Sequence, residues 1–117
     1  MPPDPTPAVS TLEFHVLLAL ANGALYGYAI KDAVATESAG TLEPRAGSLY
    51  RVIARLITEG FVRETRGEGA DESHPGLARR YYALTASGRR VLGAEARRLK
   101  RAATVAEKRL GVAEGRS

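Results

Sequence analysis

Three observations predict a mainly α-helical chain with a small two-stranded β-wing. They are an amphipathic helix beginning near Gly47 and stopped at Gly60, two short apolar strands flanking a loop that contains Gly and Pro, and a long C-terminal helix with a heptad seam. In chain order the elements read helix, helix, helix, strand, strand, and then a last helix. That order is a winged helix-turn-helix followed by a C-terminal dimerisation helix.

The first helix starts at Ser10, whose spacing to Glu13 is that of a capping box. Behind it Phe14, Val16, Leu17, Leu18 and Leu20 are apolar nearly all round, so the helix is expected to be buried on two sides. One side faces the winged domain, which leaves Leu12, Val16 and Leu20 for a second subunit. A turn at Asn22-Gly23 leads through Leu25 and Tyr26 to a helix over about Tyr28 to Glu37, with Tyr28, Ile30, Ala33 and Val34 available for packing. Gly40 and Pro44 break the chain before the third helix.

At 3.6 residues per turn, Leu49, Ile53, Leu56 and Ile57 of the third helix share one side, and Arg45, Ser48, Arg51 and Arg55 gather roughly opposite. Gly60 caps the helix, and Phe61 and Val62 continue it as a strand. The segment from Arg79 to Leu84 returns as a second strand, with residues 67–78 as the hairpin loop. Tyr81 and Tyr82 alternate across that strand, so one of them faces the core.

The hydroxyl of Thr85 is placed to cap a helix running to about Leu110. Leu92, Ala96, Leu99, Ala103, Ala106 and Leu110 repeat at alternating intervals of four and three, a seam suited to one partner helix. The other faces carry Arg89, Arg90, Arg97, Arg98, Lys100, Arg101, Lys108 and Arg109. A basic amphipathic helix on anionic lipid is the rival reading, but the helix has no Trp or Phe to anchor it.

A chain of 117 residues is one domain of modest core. It has no Cys, which excludes a disulfide framework and any thiolate zinc site, and no apolar run approaches the ~20 residues that span a bilayer. The amino end, Met1-Pro2-Pro3-Asp4-Pro5-Thr6-Pro7, lacks the basic residue and apolar run of a signal peptide, so a cytoplasmic location with no membrane partner is expected. Residues 1–9 are expected to form a disordered arm, 10–84 the winged domain, 85–110 the dimerisation helix and 111–117 a flexible tail.

The net charge is +4, yet residues 1–84 hold 8 Lys and Arg against 10 Asp and Glu, while residues 85–117 hold 9 against 3. A case for a polyanionic partner therefore rests on placement rather than on total basicity. A basic helix face is ordinarily only a solvated face. Here it is combined with an immediate wing and an Arg pair at the wing's return strand, which gives groove and phosphate contacts somewhere to occur. The expected DNA-contacting residues are Arg45, Ser48, Arg51, Arg55, Arg79 and Arg80, with Tyr50 either packing or reaching a phosphate.

Four segments in order resemble the PadR family of bacterial transcriptional regulators. They are Leu25-Tyr26-Gly27-Tyr28-Ala29-Ile30, Gly47-Ser48-Leu49-Tyr50, Arg55-Leu56-Ile57-Thr58-Glu59-Gly60 and Arg80-Tyr81-Tyr82-Ala83-Leu84-Thr85-Ala86-Ser87-Gly88. The resemblance covers about residues 10–110, and the short terminal helix is similar to that of the smaller subfamily. It implies a homodimer, joined through the first and C-terminal helices, that represses transcription and in some members leaves DNA on binding a phenolic acid or other small molecule. The chain departs from the family pattern at Ile57, where an acidic residue is usual, and in a long acidic wing loop with Glu68, Asp71 and Glu72.

The expected function is thus a homodimeric, sequence-specific regulator, a repressor on a pseudo-palindromic double-stranded operator. The alternative from another class is a winged-helix module that binds protein and not DNA. Phe14, Leu18 and Leu92 are the candidate lining of a pocket for a small aromatic or phenolic effector. His15 and His74 lie far apart with no Cys near them, and Ser48 has no nucleophile elbow or Asp partner. No metal, cofactor or catalytic residue is expected, and enzyme activity is rejected.

Overall fold

The computed structural model describes residues 9–65 and 80–111. The expected arm falls almost wholly outside these residues, as do the wing loop with Arg79 and His74, and the tail. Four helices lie among the described residues, α1 (Thr11–Ala19), α2 (Gly27–Glu37), α3 (Ala46–Thr58) and α4 (Ala86–Arg109). Three short strands accompany them, β1 (Leu25–Tyr26), β2 (Val62–Thr65) and β3 (Tyr81–Leu84).

Local chemistry accounts for the helix ends. The Ser10 hydroxyl accepts from the Glu13 N–H at 3.1 Å while the Glu13 carboxylate accepts from the Ser10 N–H at 2.7 Å, which completes the capping box of α1. At the end of α3, Gly60 takes the left-handed conformation with φ +82°. Its N–H donates to the Ile57 carbonyl at 3.0 Å and the Phe61 N–H donates to the Leu56 carbonyl at 2.9 Å, a Schellman motif. Thr85 caps α4 by accepting from the Gly88 N–H at 3.0 Å.

The sheet is antiparallel in the order β1-β3-β2. Its wing half pairs Val62 with Leu84 and Glu64 with Tyr82, so Tyr82 and Leu84 face the core and settle which tyrosine is buried. β1 was not anticipated: Leu25 pairs with Tyr82 and Tyr26 with Tyr81, tying the start of α2 to the wing. Two residues are too few to show an alternating pattern, so no sequence periodicity marks this strand.

The core lies where α1 packs against α2, α3 and α4 over the sheet. Leu17, Leu20, Ile30, Val34, Leu49, Ile53, Leu56 and Val62 are fully buried, each worth roughly 1.5 to 3 kcal/mol relative to exposure. Three expectations are corrected here. Val16 and Leu20, reserved for a second subunit, are both 0% exposed within the protomer, because α2, α3 and α4 pack against α1. Tyr28 is 69% exposed and packs little, since it lies on the side of α2 turned away from the buried Ile30 and Val34. Ile57 sits at the margin of the α3 packing stripe and is partly exposed.

Candidate nucleic-acid interface

Burial of Leu49, Ile53 and Leu56 turns the opposite side of α3 to solvent, and by helical repeat that side is centred on Gly47, Arg51, Ala54 and Thr58. All four are exposed. A Cβ added at Gly47 would meet nothing, so the amino end of α3 presents a low surface that a large ligand can approach closely. Arg45, in extended conformation just before α3, is exposed, and Ser48 is half-buried on one flank.

Arg55 also reaches solvent, but its guanidinium is shared between two carboxylates. It lies 3.9 Å from Glu13 of α1 and 3.8 Å from Glu59 one turn along α3. Arg80, at the root of the wing, stands 3.5 Å from Glu64 across the sheet. Sequence reasoning missed these acidic partners. Glu59 was discoverable from its i,i+4 spacing to Arg55, whereas the Glu13 contact spans separate helices and carried no local signal.

The other flank of α3 carries Tyr50, which is 46% exposed. Its phenol lies against the backbone of Gly27 so closely that a Cβ there would collide with the hydroxyl. Tyr50 therefore both packs and keeps an open edge. It shares a shallow pocket of about 50 Å³ with Tyr28, Lys31 and the first turn of α2. No side chain caps the amino end of α2, because its N-cap residue is Tyr26. The partial positive charge of that helix end thus adjoins Lys31 and two phenols. Near them, burial raises the pKa of Tyr82, and the neighbouring Glu64 carboxylate and Tyr50 act in the same direction against Arg80.

The expected partner-binding residues divide into two groups. Leu12 and Leu92 are half-buried against the protomer's own core, whereas Ala96, Leu99, Ala103, Ala106 and Leu110 are exposed. Leu110, the C-cap residue just beyond α4, is 76% exposed. Phe14 and Leu18, the candidate effector-pocket residues, are half-buried on the side of α1 opposite Val16 and Leu20. Where α4 leaves the core, Glu95 is buried beneath Arg98, whose Nε donates to its carboxylate at 2.9 Å. That hydrogen bond holds the Glu95 carboxyl below its usual pKa, against the opposing effect of burial.

Among the described residues no three His, Cys, Asp or Glu side chains gather as a metal site, and no helix is long and apolar enough to cross a membrane. The fold and the open basic helix face define a winged helix-turn-helix of the transcription-factor class. The pattern of the transcriptional regulator PadR-like family matches residues 16–94, and the chain belongs to that family. The family consists of regulators and not enzymes.

Among solved structures, a PadR family transcription regulator from Clostridium difficile R20291 superposes with a TM-score of 0.70 at 20% identity, covering 86% of this chain and 99% of that one. Bacillus subtilis PadR in complex with operator DNA superposes with a TM-score of 0.60 at 25% identity, over 72% of this chain and 45% of that one. An uncharacterized 37.1 kDa protein in transposon Tn4556 of Streptomyces fradiae is 40% identical over 86 residues. This chain spans 74% of its own length in that match and 22% of the relative's.

Proposed function

We propose that this PadR-family regulator binds double-stranded operator DNA as a homodimer, with one α3 in each of two successive major grooves. The observation that carries the reading is the uncovered α3 surface around Gly47 and Arg51, with cationic groups on both sides of it. Bacillus subtilis PadR, solved with its operator, supports it as a relative of the same fold. In this arrangement Ser48 and Arg51 meet base edges. Arg45, Tyr50, Lys31 and Arg80, with the amino end of α2, meet phosphates.

The homodimer forms through the exposed α4 seam together with Phe14 and Leu18 on the outward side of α1. It sets the two α3 helices about 34 Å apart, one helical turn of DNA. The regulator acts as a repressor, and a planar apolar or phenolic molecule seated between α1 and α4 relieves repression. Such a ligand works only through different affinities for the DNA-competent and incompetent dimers.

Fluorescence anisotropy on the chain's own upstream DNA, at rising salt, tests the reading. Affinity that falls with salt and exceeds that for random sequence is the expected result. Equal affinity for both sequences removes specific recognition, and no affinity for DNA leaves the protein-binding module. Titrating phenolic compounds with and without operator tests the effector, because linkage excludes any compound that binds both states equally.

A further inference from the structure

The first turn of α4 is fastened to the ends of two other helices. The Thr85 hydroxyl donates to the Gly60 carbonyl at 2.6 Å while accepting from the Gly88 N–H at 3.0 Å. The Thr85 N–H donates to the Phe61 carbonyl at 3.1 Å. Gly60 and Phe61 are the two residues that close the Schellman turn of α3, so one threonine caps α4 and grips the end of α3. Gly88 presses on the same carbonyl: a Cβ there would collide with the Phe61 oxygen. One residue further, the Arg89 guanidinium donates to the Ala21 carbonyl just beyond α1, at 3.2 Å.

These contacts do more than an N-cap requires. A cap needs only an acceptor for the N–H groups of the first turn, which Ser, Asp or Asn supplies equally well. Donation across to Gly60 and the absence of a Cβ at residue 88 instead fix the direction in which α4 leaves α3. Beyond residue 95 the α4 side chains are exposed, so within the protomer the orientation of the arm is set by residues 85–95, where the Thr85, Gly88 and Arg89 contacts join the packing of Val91, Leu92 and Glu95. Several turns of helix then convert a small change of angle at Thr85 into a displacement of several ångströms at the far end of the arm, since the rise is about 1.5 Å per residue.

We propose that Thr85 and Gly88 are positioning residues for operator recognition, holding α4 at one angle to α3 and so fixing the half-site spacing that the dimer accepts. This rests on the dimeric DNA-binding reading above. Neither residue touches DNA in it. The junction acts through the separation of the two α3 helices.

The test uses operators of two identical half-sites separated by spacers varied one base pair at a time, with a single half-site as control. Thr85→Asp keeps an acceptor for the Gly88 N–H but, ionised, has no proton for the Gly60 carbonyl. Thr85→Ser keeps both functions. The wild type and Thr85→Ser are expected to share one sharp spacing optimum. Thr85→Asp is expected to flatten it, with about a five-fold or greater loss at the optimum. Its half-site affinity and dimer mass stay at wild-type values. Gly88→Ala, which must push the Phe61 carbonyl aside, shifts the optimum. Loss of stability alone would lower half-site and full-site affinity together and leave the optimum in place. A folded Thr85→Asp or Gly88→Ala with the wild-type spacing profile overturns this inference alone. A wild type without any spacing optimum overturns the dimeric operator reading and this inference with it.

Discussion

Arg55 Nη1 stands 3.9 Å from Glu13 Oε2, so an ion pair joins α3 to α1 beside the surface proposed to meet DNA. Arg51, one turn earlier and nearer the centre of that surface, is exposed among the described residues. Two arginines that look equivalent in the sequence therefore have different surroundings.

Arg51→Ala is expected to weaken operator binding by about 1 to 3 kcal/mol, concentrated at one base position if the contact is bidentate to guanine. Arg55→Ala should cost less in binding, because engaging DNA first requires leaving Glu13 and Glu59. Its effect on stability should also be small, since the Arg55 side chain is exposed and stands 3.8 to 3.9 Å from both carboxylates, beyond hydrogen-bond distance, and such loose pairs contribute about 0 to 1 kcal/mol. Anisotropy on single-base operator variants, with melting curves for both mutants, checks the contrast. A larger binding loss in Arg55→Ala would reverse the assignment.

Tyr50 lies against Gly27 so closely that no room is left for an added methyl group. Gly27→Ala should destabilise by about 1 to 3 kcal/mol through overpacking. Tyr50→Phe removes the colliding oxygen, so the double mutant should recover part of that loss. A denaturant-unfolding cycle measures the coupling. Additive effects would mean that α2 shifts freely away from α3.

Leu99→Glu should dissociate the proposed dimer, because each carboxylate would lose hydration in an apolar seam without a partner. Light scattering on the folded mutant decides. Residues 96–110 also carry six Lys and Arg against one Glu, so paired arms repel each other. Raising salt toward 0.3 M screens charges beyond a few ångströms and should tighten the dimer while weakening DNA binding. Dimer affinity that falls with salt would place acidic groups of the partner against the arm.

Glu95 predicts an acid-side effect. Its carboxyl is held below the usual value of 4.5, mainly by the Arg98 hydrogen bond, so its folded pKa is lower than its unfolded one. The stability it contributes is fully present above pH 4.5 and is lost as pH falls through the depressed folded value. The difference in melting temperature between wild type and Glu95→Gln should be constant near neutrality and shrink below pH 4.5. A difference that stays constant into the acid range would show that the charge of Glu95 does not contribute.

The helix termini were legible in the residues themselves. Ser10 with Glu13, Gly60 and Thr85 act through hydrogen bonds to backbone a few positions away, so Ser10 and Thr85 start their helices, and Gly60 ends its own, where the local pattern says they must. The buried stripe of Leu49, Ile53 and Leu56 was legible for the same reason, since one helical period sorts apolar from charged residues. Tertiary contacts decided the rest. α1 is apolar nearly all round, so no periodicity could say that Val16 and Leu20 turn inward while Phe14 and Leu18 turn outward; the positions of α2, α3 and α4 decided it. β1 exists only because β3 offers it an edge. The restraint of Arg55 by Glu13, the fit of Tyr50 against Gly27 and the grip of Thr85 on Gly60 all join residues distant in sequence, whose encounter is set by how whole helices pack.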